Sequence, residues 1–239
     1  MRKFISIYCC ILFTTLVNAQ APALMQSDSL QRYIEAAMKA WRIPAVAVCI
    51  VKDGKIVHQQ AYGVANIGTK QSVNVQTVFP IASISKTFTG TLFVTMEADK
   101  LISLNDRVTK WLPDFRMKDS LYSQELMLSD ILSHRSGWKT FQGDLINTES
   151  DLDYPKMIQL FSQQKPAYPL RTRFGYSNFG FMIAGEAVKS ITGNSWNKYL
   201  HKRLLAPLGM SRTFVDASLI AQDQNKAAGH SIVSDSLVA

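Results

Sequence analysis

A serine and a lysine three positions apart, Ser83 and Lys86, are the strongest candidates for chemistry in this sequence. Residues with this spacing share one face of a helix, so the Lys86 amine can lie beside the Ser83 hydroxyl. A serine hydroxyl is a weak nucleophile, and a neighbouring base or a cation that stabilises its alkoxide activates it. The same spacing also arises by chance, as a serine N-cap followed by a solvated lysine, so positions 83–86 alone do not define an active site.

A second candidate pair, Tyr176 and Asn178, lies about ninety residues further along the chain. A tyrosine hydroxyl near a lysine ionises more readily and can transfer a proton. An asparagine amide can donate to and accept from a substrate amide. Taken alone, the segment is explained equally by an aromatic anchor followed by an asparagine helix cap.

The elements around these residues can be predicted from hydrophobic periodicity and turn signals. A helix capped at 27–29 precedes an apolar strand at 45–51, which we expect to be buried on both faces, with Cys49 in the core. The pair Asp53-Gly54 predicts a two-residue turn, and residues 55–64 form the antiparallel return strand. The chain thus opens as an α/β lobe.

The middle of the chain is predicted to be a helical lobe. One helix starts near Ser83, and short helices separated by polar connections follow between 101 and 205. Ser129 is predicted to cap one of these helices, Gly193 to end another and Ser195 to cap the next.

Four segments occur in an order that is far more specific than any one of them. They are Phe-Pro-Ile-Ala-Ser-Ile-Ser-Lys-Thr-Phe at 79–88, Ile-Leu-Ser-His-Arg-Ser-Gly at 131–137, Arg-Phe-Gly-Tyr-Ser-Asn at 173–178 and Ala-Pro-Leu-Gly-Met at 206–210. Together they resemble the class C β-lactamase and penicillin-binding-protein-like serine hydrolases, over about 29–210. The resemblance implies an α+β, β-lactamase/transpeptidase-like fold, in which helices flank an antiparallel sheet and a helical lobe is added.

The resemblance also implies a role for each candidate residue. Ser83 matches the nucleophile that forms the acyl-enzyme, and Lys86 matches the lysine that supports its deprotonation. Tyr176 matches the tyrosine that relays protons to the leaving group and from the incoming water, and Asn178 matches the asparagine that holds the substrate's amide side chain. How the proton is divided between lysine and tyrosine stays open. No metal or organic cofactor is implied.

Two departures from the family pattern stand out. No Lys/His-Thr/Ser-Gly triplet follows Tyr176, although the family carries one on a late strand that supplies an oxyanion-hole N–H. We therefore expect residues 20–239 to form a serine hydrolase domain that is incomplete at its C-terminus and lacks the C-terminal strands. Losing one oxyanion donor typically costs roughly a hundred- to a thousand-fold in rate. Residues 169–172 read Pro-Leu-Arg-Thr, where relatives have Pro-Gly, which leaves this turn open.

The first nineteen residues predict a signal peptide. Arg2 and Lys3 precede an apolar stretch at 4–17, and small residues allow cleavage after Ala19. The apolar stretch is shorter than the roughly twenty residues that cross a bilayer, so no stable membrane anchor is expected after cleavage. We expect a periplasmic or secreted protein.

Two classes of function follow from these observations. The first is an exported serine hydrolase that acts through an acyl-serine on β-lactam, D-alanyl peptide or small ester substrates. The alternative is a truncated, inactive fragment or a module that binds cell-wall peptides. The partner is a small molecule or a peptidoglycan-type substrate. The formal charge of +8 is scattered without a basic stripe, which argues against nucleic acid. The oligomeric state is left open.

Other chemistries lack support in the sequence. There is no Gly-x-Ser-x-Gly elbow of the α/β-hydrolases. Cys9 and Cys10 fall in the leader, so the mature chain keeps only Cys49 and forms no internal disulfide. His134 is predicted to end the helix that Ser129 caps and to bond its last carbonyls. No metal-ligand spacing is found among the four histidines, His58, His134, His201 and His230.

Overall fold

The structure is a computed structural model that describes residues 28–148 and 150–239. The predicted signal peptide and the residues Cys9 and Cys10 lie outside the described residues. No helix within the described ranges combines the length and the apolar character that a bilayer crossing requires. The described chain divides into two compact units. One comprises the residues up to Thr77 together with Ala227–Ala239, and the other is Val78–Lys226.

The first unit is built on the predicted helix and hairpin. Helix α1 spans Asp28–Trp41, and the antiparallel strands β1 and β2 span Ala45–Lys52 and Lys55–Asn66. The turn between the strands has positive φ at both Asp53 (50°) and Gly54 (73°), as a two-residue hairpin of this kind requires. A short strand β3, Gln71–Ser72, pairs with β2.

The last described residues of the first unit form a second, short hairpin. Its strands are β4, Ser231–Val233, and β5, Ser236–Val238. The Ala65 carbonyl accepts a hydrogen bond from the Ala228 amide over 2.8 Å, and the Asp235 carboxylate pairs with Arg42 at 2.5 Å. The segment after residue 226 is thus held against the end of β2 and the end of α1.

The prediction that residues 45–51 are buried on both faces, with Cys49 in the core, is wrong. Burial along β1 alternates, and Cys49 is exposed, as is Val51 with 61% of its surface accessible. A continuous apolar run is typical of a strand covered on both faces. Within the described residues, however, side chains pack against only one face of β1.

The second unit is helical around one central helix. This helix, α7, spans Asn178–Thr192 and buries residues such as Phe179, Ile183 and Ala187 completely. The other helices of this unit are α2 Ser85–Ala98, α3 Val108–Trp111, α4 Ser120–Glu125, α5 Leu128–Leu132, α6 Tyr154–Phe161, α8 Trp196–Leu200 and α9 Ala217–Gln222. Of these, α2, α3, α5, α6 and α8 contact α7. Shorter turns of 3-10 helix occur at Ala82–Ile84 and Asp144–Ile146, and a π-helical turn at His201–Leu205 follows α8.

The predicted helix ends around α7 and α8 are confirmed. Gly193 ends α7 with a left-handed φ of 69°, and Ser195 caps α8 by accepting the Lys198 amide. The prediction that Ser129 caps a helix is wrong, because Ser129 lies inside α5. The cap position is Met127, whose amide donates to the Asp130 carboxylate over 3.0 Å, so the helix begins earlier than the serine indicated.

The turn at residues 169–172 is stabilised by an ion pair. Arg171 adopts a left-handed φ of 66°, and its guanidinium makes two hydrogen bonds of 2.9 Å to the buried carboxylate of Asp130. The same guanidinium donates to the Glu125 carbonyl over 2.8 Å. The guanidinium of Arg171, with its planar pair of donors, therefore stabilises a left-handed backbone conformation that is otherwise typical of glycine. The turn leads directly into the segment that carries Tyr176.

Candidate active site

Ser83 lies in the short 3-10 turn Ala82–Ile84, which runs directly into α2. Ser83 is exposed, and Lys86 is half-buried one turn further on. The residue before the serine, Ala82, has a φ of 43°, in the left-handed region that residues with a Cβ rarely adopt. Such strain persists only where surrounding structure holds it, and it is concentrated at functional sites. Ile81 and Ile84 hold the cap positions of the turn and of α2, and Lys86 is half-buried. The alternative of a serine cap followed by a solvated lysine is therefore wrong.

The segment that carries Tyr176 is fixed by its backbone. A Cβ at Gly175 would lie 1.8 Å from the Trp138 carbonyl oxygen, so only glycine fits this close approach. The Gly175 amide donates to the His134 carbonyl over 2.8 Å. On the other side, Ser177 is completely buried and caps α7 by accepting the Gly180 amide. The cap is therefore Ser177, and Asn178 is free to point its amide elsewhere.

The four residues predicted from the sequence lie together and form one chain of hydrogen bonds. The Tyr176 hydroxyl donates to Ser83 Oγ over 2.6 Å. Lys86 Nζ donates to Ser83 Oγ over 3.3 Å and to Asn178 Oδ1 over 2.7 Å. The ammonium also lies 4.8 Å from the centre of the Tyr176 ring. The serine hydroxyl is thus contacted by a phenol and an ammonium at once.

The environment of Tyr176 favours its phenolate. Burial opposes ionisation and is the largest single influence, but the interactions with Lys86 and Ser83 outweigh it, so the pKa of Tyr176 lies below its ordinary value of 10.0. The positive charge of Lys86 acts in the same direction, while the carboxylate of Asp144 acts weakly against it. A tyrosine with a lowered pKa is a better base near neutral pH than an unperturbed one.

Sequence reasoning missed Asp144, which lies at the start of a 3-10 turn. Its Oδ2 accepts a hydrogen bond of 2.7 Å from Asn178 Nδ2. A carboxylate only accepts and an ammonium only donates, so Asp144 and Lys86 together fix the orientation of the Asn178 amide. The other carboxylate oxygen, Oδ1, is buried and makes no hydrogen bond to any described residue. No periodicity or motif in the sequence marks this loop position.

His134 lies at the end of the helix, as predicted, but the prediction that it bonds the last carbonyls of that helix is wrong. Helix α5 ends at Leu132, and His134 follows it with a left-handed φ of 59°. Its Nδ1 accepts the amide hydrogen of Ser177 over 3.0 Å, so it bonds an amide of the distant segment and not the carbonyls of its own helix. Its ring stacks on Tyr176, with centres 4.5 Å apart and planes 27° apart. The left-handed turn ends the helix before the imidazole could reach its last carbonyls.

A cavity of about 600 Å³ lies beside Lys86 and Asn178, with Phe181 and Trp196 among its lining residues. Its size is within the range that takes a small-molecule ligand. A larger cavity of about 830 Å³ surrounds Trp111 and includes none of the four predicted residues. Ser83 and Tyr176 are not among the residues that line the smaller cavity, so it adjoins the hydrogen-bonded residues only on the side of Lys86 and Asn178.

Comparison with known proteins points to one family. A family model described as Beta-lactamase matches residues 30–238. The beta-lactamase of Lysobacter lactamgenus is 28% identical over 218 residues, which cover 90% of this chain and 54% of that protein. The chain thus spans about half the length of this relative.

Two solved structures share the fold. The octameric penicillin-binding protein homologue from Pyrococcus abyssi superimposes with a TM-score of 0.75 at 24% identity, over 87% of this chain and 49% of that one. The D-alanine carboxypeptidase AmpC from Burkholderia cenocepacia gives a TM-score of 0.70 at 27% identity, over 86% and 54% of the two chains. These similarities confirm the α+β, β-lactamase/transpeptidase-like fold that the sequence predicted.

Proposed function

Because the chain belongs to the beta-lactamase family, we propose that it is a serine hydrolase that opens β-lactams or cleaves D-alanyl peptides through an acyl-serine. Small esters are further acyl donors for the same chemistry. The observation that carries the proposal is the 2.6 Å contact between Ser83 Oγ and the Tyr176 hydroxyl, beside the Lys86 ammonium. A β-lactamase and a D-alanine carboxypeptidase among the similar proteins support this substrate range.

In the first step, Ser83 Oγ attacks the carbonyl carbon of the substrate. Tyr176, as the phenolate, takes the serine proton, and a C–O bond to Ser83 forms. When the C–N bond breaks, Tyr176 returns the proton to the leaving nitrogen. We assign the base to Tyr176 because Lys86, as an ammonium, only donates, and two of its contacts are already to Ser83 and Asn178. Lys86 stabilises the phenolate by its charge.

In the second step, water attacks the acyl-serine. Tyr176 accepts a proton from the water, the C–O bond to Ser83 breaks, and the serine oxygen regains a proton through Tyr176. Asn178 contributes to binding in both steps. Its Nδ2 carries two hydrogens, of which one is donated to Asp144, so the second can be donated to a substrate carbonyl.

The predicted signal peptide indicates the compartment in which the enzyme acts. The leader at 1–19 supports export, and we propose that the enzyme works in the periplasm or outside the cell, where its substrates occur. N-terminal sequencing of the protein recovered from the secreting host tests this. A mature chain that begins at Gln20 is expected, and a chain that keeps its leader inside the cell would contradict it.

The proposed function is tested by intact mass after incubation with a reactive β-lactam. The chain should gain the mass of one acyl group, and Ser83→Ala should gain none. Ser85→Ala removes a hydroxyl two positions away and serves as the matched control, because it should acylate like the unmodified chain. No adduct on the unmodified chain would overturn the proposal. Binding of a D-alanyl peptide that Ser83→Ala leaves unchanged, without an adduct, would instead support a peptide-binding module.

A further inference from the structure

We propose that His134, in its neutral form, is a positioning residue that holds Tyr176 against Ser83. The inference rests on the proposed function, since it concerns the same proton transfer. His134 makes no contact with Ser83 itself and acts through the segment that carries Tyr176. Protonation of its imidazole would loosen this segment, so acid would slow the reaction through a group outside the reacting atoms.

The backbone on both sides of Tyr176 is bonded to His134. The His134 carbonyl accepts the Gly175 amide over 2.8 Å, and its Nδ1 accepts the Ser177 amide over 3.0 Å. Tyr176 is the only residue between these two anchor points. A displacement of the Tyr176 main chain must therefore break at least one bond to His134. Ser177 is completely buried, so its amide has no water to bond if the imidazole is lost.

The side chain of Tyr176 is also restrained by the imidazole. The two rings stack at 4.5 Å, while Phe141 meets the Tyr176 ring edge-on at 5.4 Å. The imidazole is in turn contacted by Phe174 at 5.3 Å and by Phe181 at 5.4 Å. Aromatic contacts of this geometry have preferred orientations. They keep the phenol from rotating away from Ser83 and keep the imidazole in place.

The bond to Ser177 requires neutral His134 with its hydrogen on Nε2. A protonated imidazole carries hydrogens on both nitrogens, so Nδ1 would face the Ser177 amide as a second donor. The charged and titratable groups that face the ring are Lys86 from α2 and Tyr176 from its own segment; Phe174 and Phe181 are uncharged. Burial, and then the charge of Lys86, lower the pKa of His134 below 6.5, which keeps the ring neutral at pH 7.

Two variants separate the two contacts of His134. His134→Phe keeps an aromatic face for Tyr176 but has no acceptor for the Ser177 amide. His134→Asn keeps an acceptor close to the position of Nδ1 but has no ring. We expect acylation by the reactive β-lactam to slow by about ten- to a hundred-fold in the phenylalanine variant, since a displacement of about 1 Å can cost that much. The asparagine variant should recover part of this loss.

The pH profile supplies a readout that a merely structural role would not move. Acylation by the unmodified chain needs two groups without a proton, Tyr176 and His134. Its log rate should therefore fall with a slope of one as the pH decreases, and with a slope approaching two over the roughly one to two pH units below the pKa of His134 that correspond to a ten- to hundred-fold loss. Both variants lack the titrating imidazole and should keep a slope of one. A slope of one in the unmodified chain, or a His134→Phe rate within two-fold of it, would overturn the proposal.

NMR distinguishes a loss of the His134 positioning role from a loss of the proposed function. If no acyl adduct forms at all, the proposed function is lost, but NMR of the unmodified chain still tests the contact. The Ser177 amide resonance should shift with the same midpoint as the His134 imidazole. An amide that does not follow the imidazole would overturn the positioning role even in an active enzyme. Thermal melting checks that each variant folds, and if His134→Phe does not, the slope in His134→Asn decides.

Discussion

The oxygen of the Tyr176 hydroxyl lies 2.6 Å from Ser83 Oγ, although 93 positions separate the two residues along the chain. The distance of 2.6 Å between the two oxygens is short for a hydrogen bond between hydroxyls and is typical of one strengthened by a nearby charge. Lys86 supplies that charge from the same helical turn as the serine. The proton of Ser83 therefore has a direct path to one base, and the protonation state of that base should govern the rate.

We expect Lys86→Met to raise the pKa of Tyr176, because the interactions that lower it are lost. In the unmodified chain, acylation should increase with pH and level off at the lowered pKa of the phenol. In the variant, this limb should move to higher pH and the rate at pH 7 should fall by roughly a hundred-fold or more. The measurement is the rate of acylation against pH.

The phenol can be followed directly by its ultraviolet absorbance, as the difference between each protein and its Tyr176→Phe counterpart. Lys202→Met removes an exposed lysine outside the site and should leave the titration unchanged. If Lys86→Met left both the phenol titration and the rate limb in place, Tyr176 would not be the base that Lys86 supports.

We expect Asp144→Ala to release the Asn178 amide, because its Nδ2 loses the acceptor that fixes its orientation. A lost hydrogen bond to a charged group costs about 1.5–3 kcal/mol, which corresponds to roughly a ten- to hundred-fold slower acylation. Asn147→Ala changes an exposed residue of the same loop and is the control. Equal rates for the two variants would show that the Asn178 orientation does not limit the reaction.

We expect Asp130→Ala to destabilise the second unit by about 2 kcal/mol, since the Met127 amide and the Arg171 guanidinium, which is 40% exposed, lose a buried carboxylate acceptor. For a chain of this size the melting temperature should fall by about 4–8 °C. Arg107→Gln removes one partner of an exposed pair and should change stability by less than about 1 kcal/mol. A melting temperature unchanged by Asp130→Ala would contradict the role of this ion pair.

We expect Cys49 to react with a thiol reagent in the native protein, because its side chain is exposed on β1. Mass analysis of the mature chain should show one modification at a rate close to that of the denatured chain. Cys49→Ser should show none. Protection of the native thiol by a hundred-fold or more would contradict the exposure of this face of the strand.

Local signals predicted much of the fold. The hairpin follows from Asp53-Gly54 between two apolar runs, and the end of α7 follows from Gly193, since each residue type satisfies a backbone requirement at its own position. Spacing and motif order predict the four candidate site residues. Their meeting depends on the packing of α2 against α7, which no local pattern specifies.

Contacts over long sequence separations explain the errors. The neighbours of His134 in the chain indicate a helix end, but its imidazole bonds Ser177, 43 positions away. Asp144 carries no motif and becomes relevant only because Asn178 lies within 2.7 Å. Ser129 is a good cap by composition, yet Asp130 satisfies the Met127 amide first and moves the helix start. Cys49 lies in an apolar run whose second face the described chain leaves uncovered.

The left-handed backbone of Ala82 is a point of local strain in the turn that carries Ser83. Each left-handed residue with a Cβ costs roughly 1–2 kcal/mol, and glycine at this position would relieve that cost. Selection for heat resistance alone should therefore enrich Ala82→Gly. Selection for turnover should retain Ala82 if a more flexible turn increases the distance between the hydroxyls of Ser83 and Tyr176. The position offers directed evolution a single site at which thermal tolerance and catalytic rate compete.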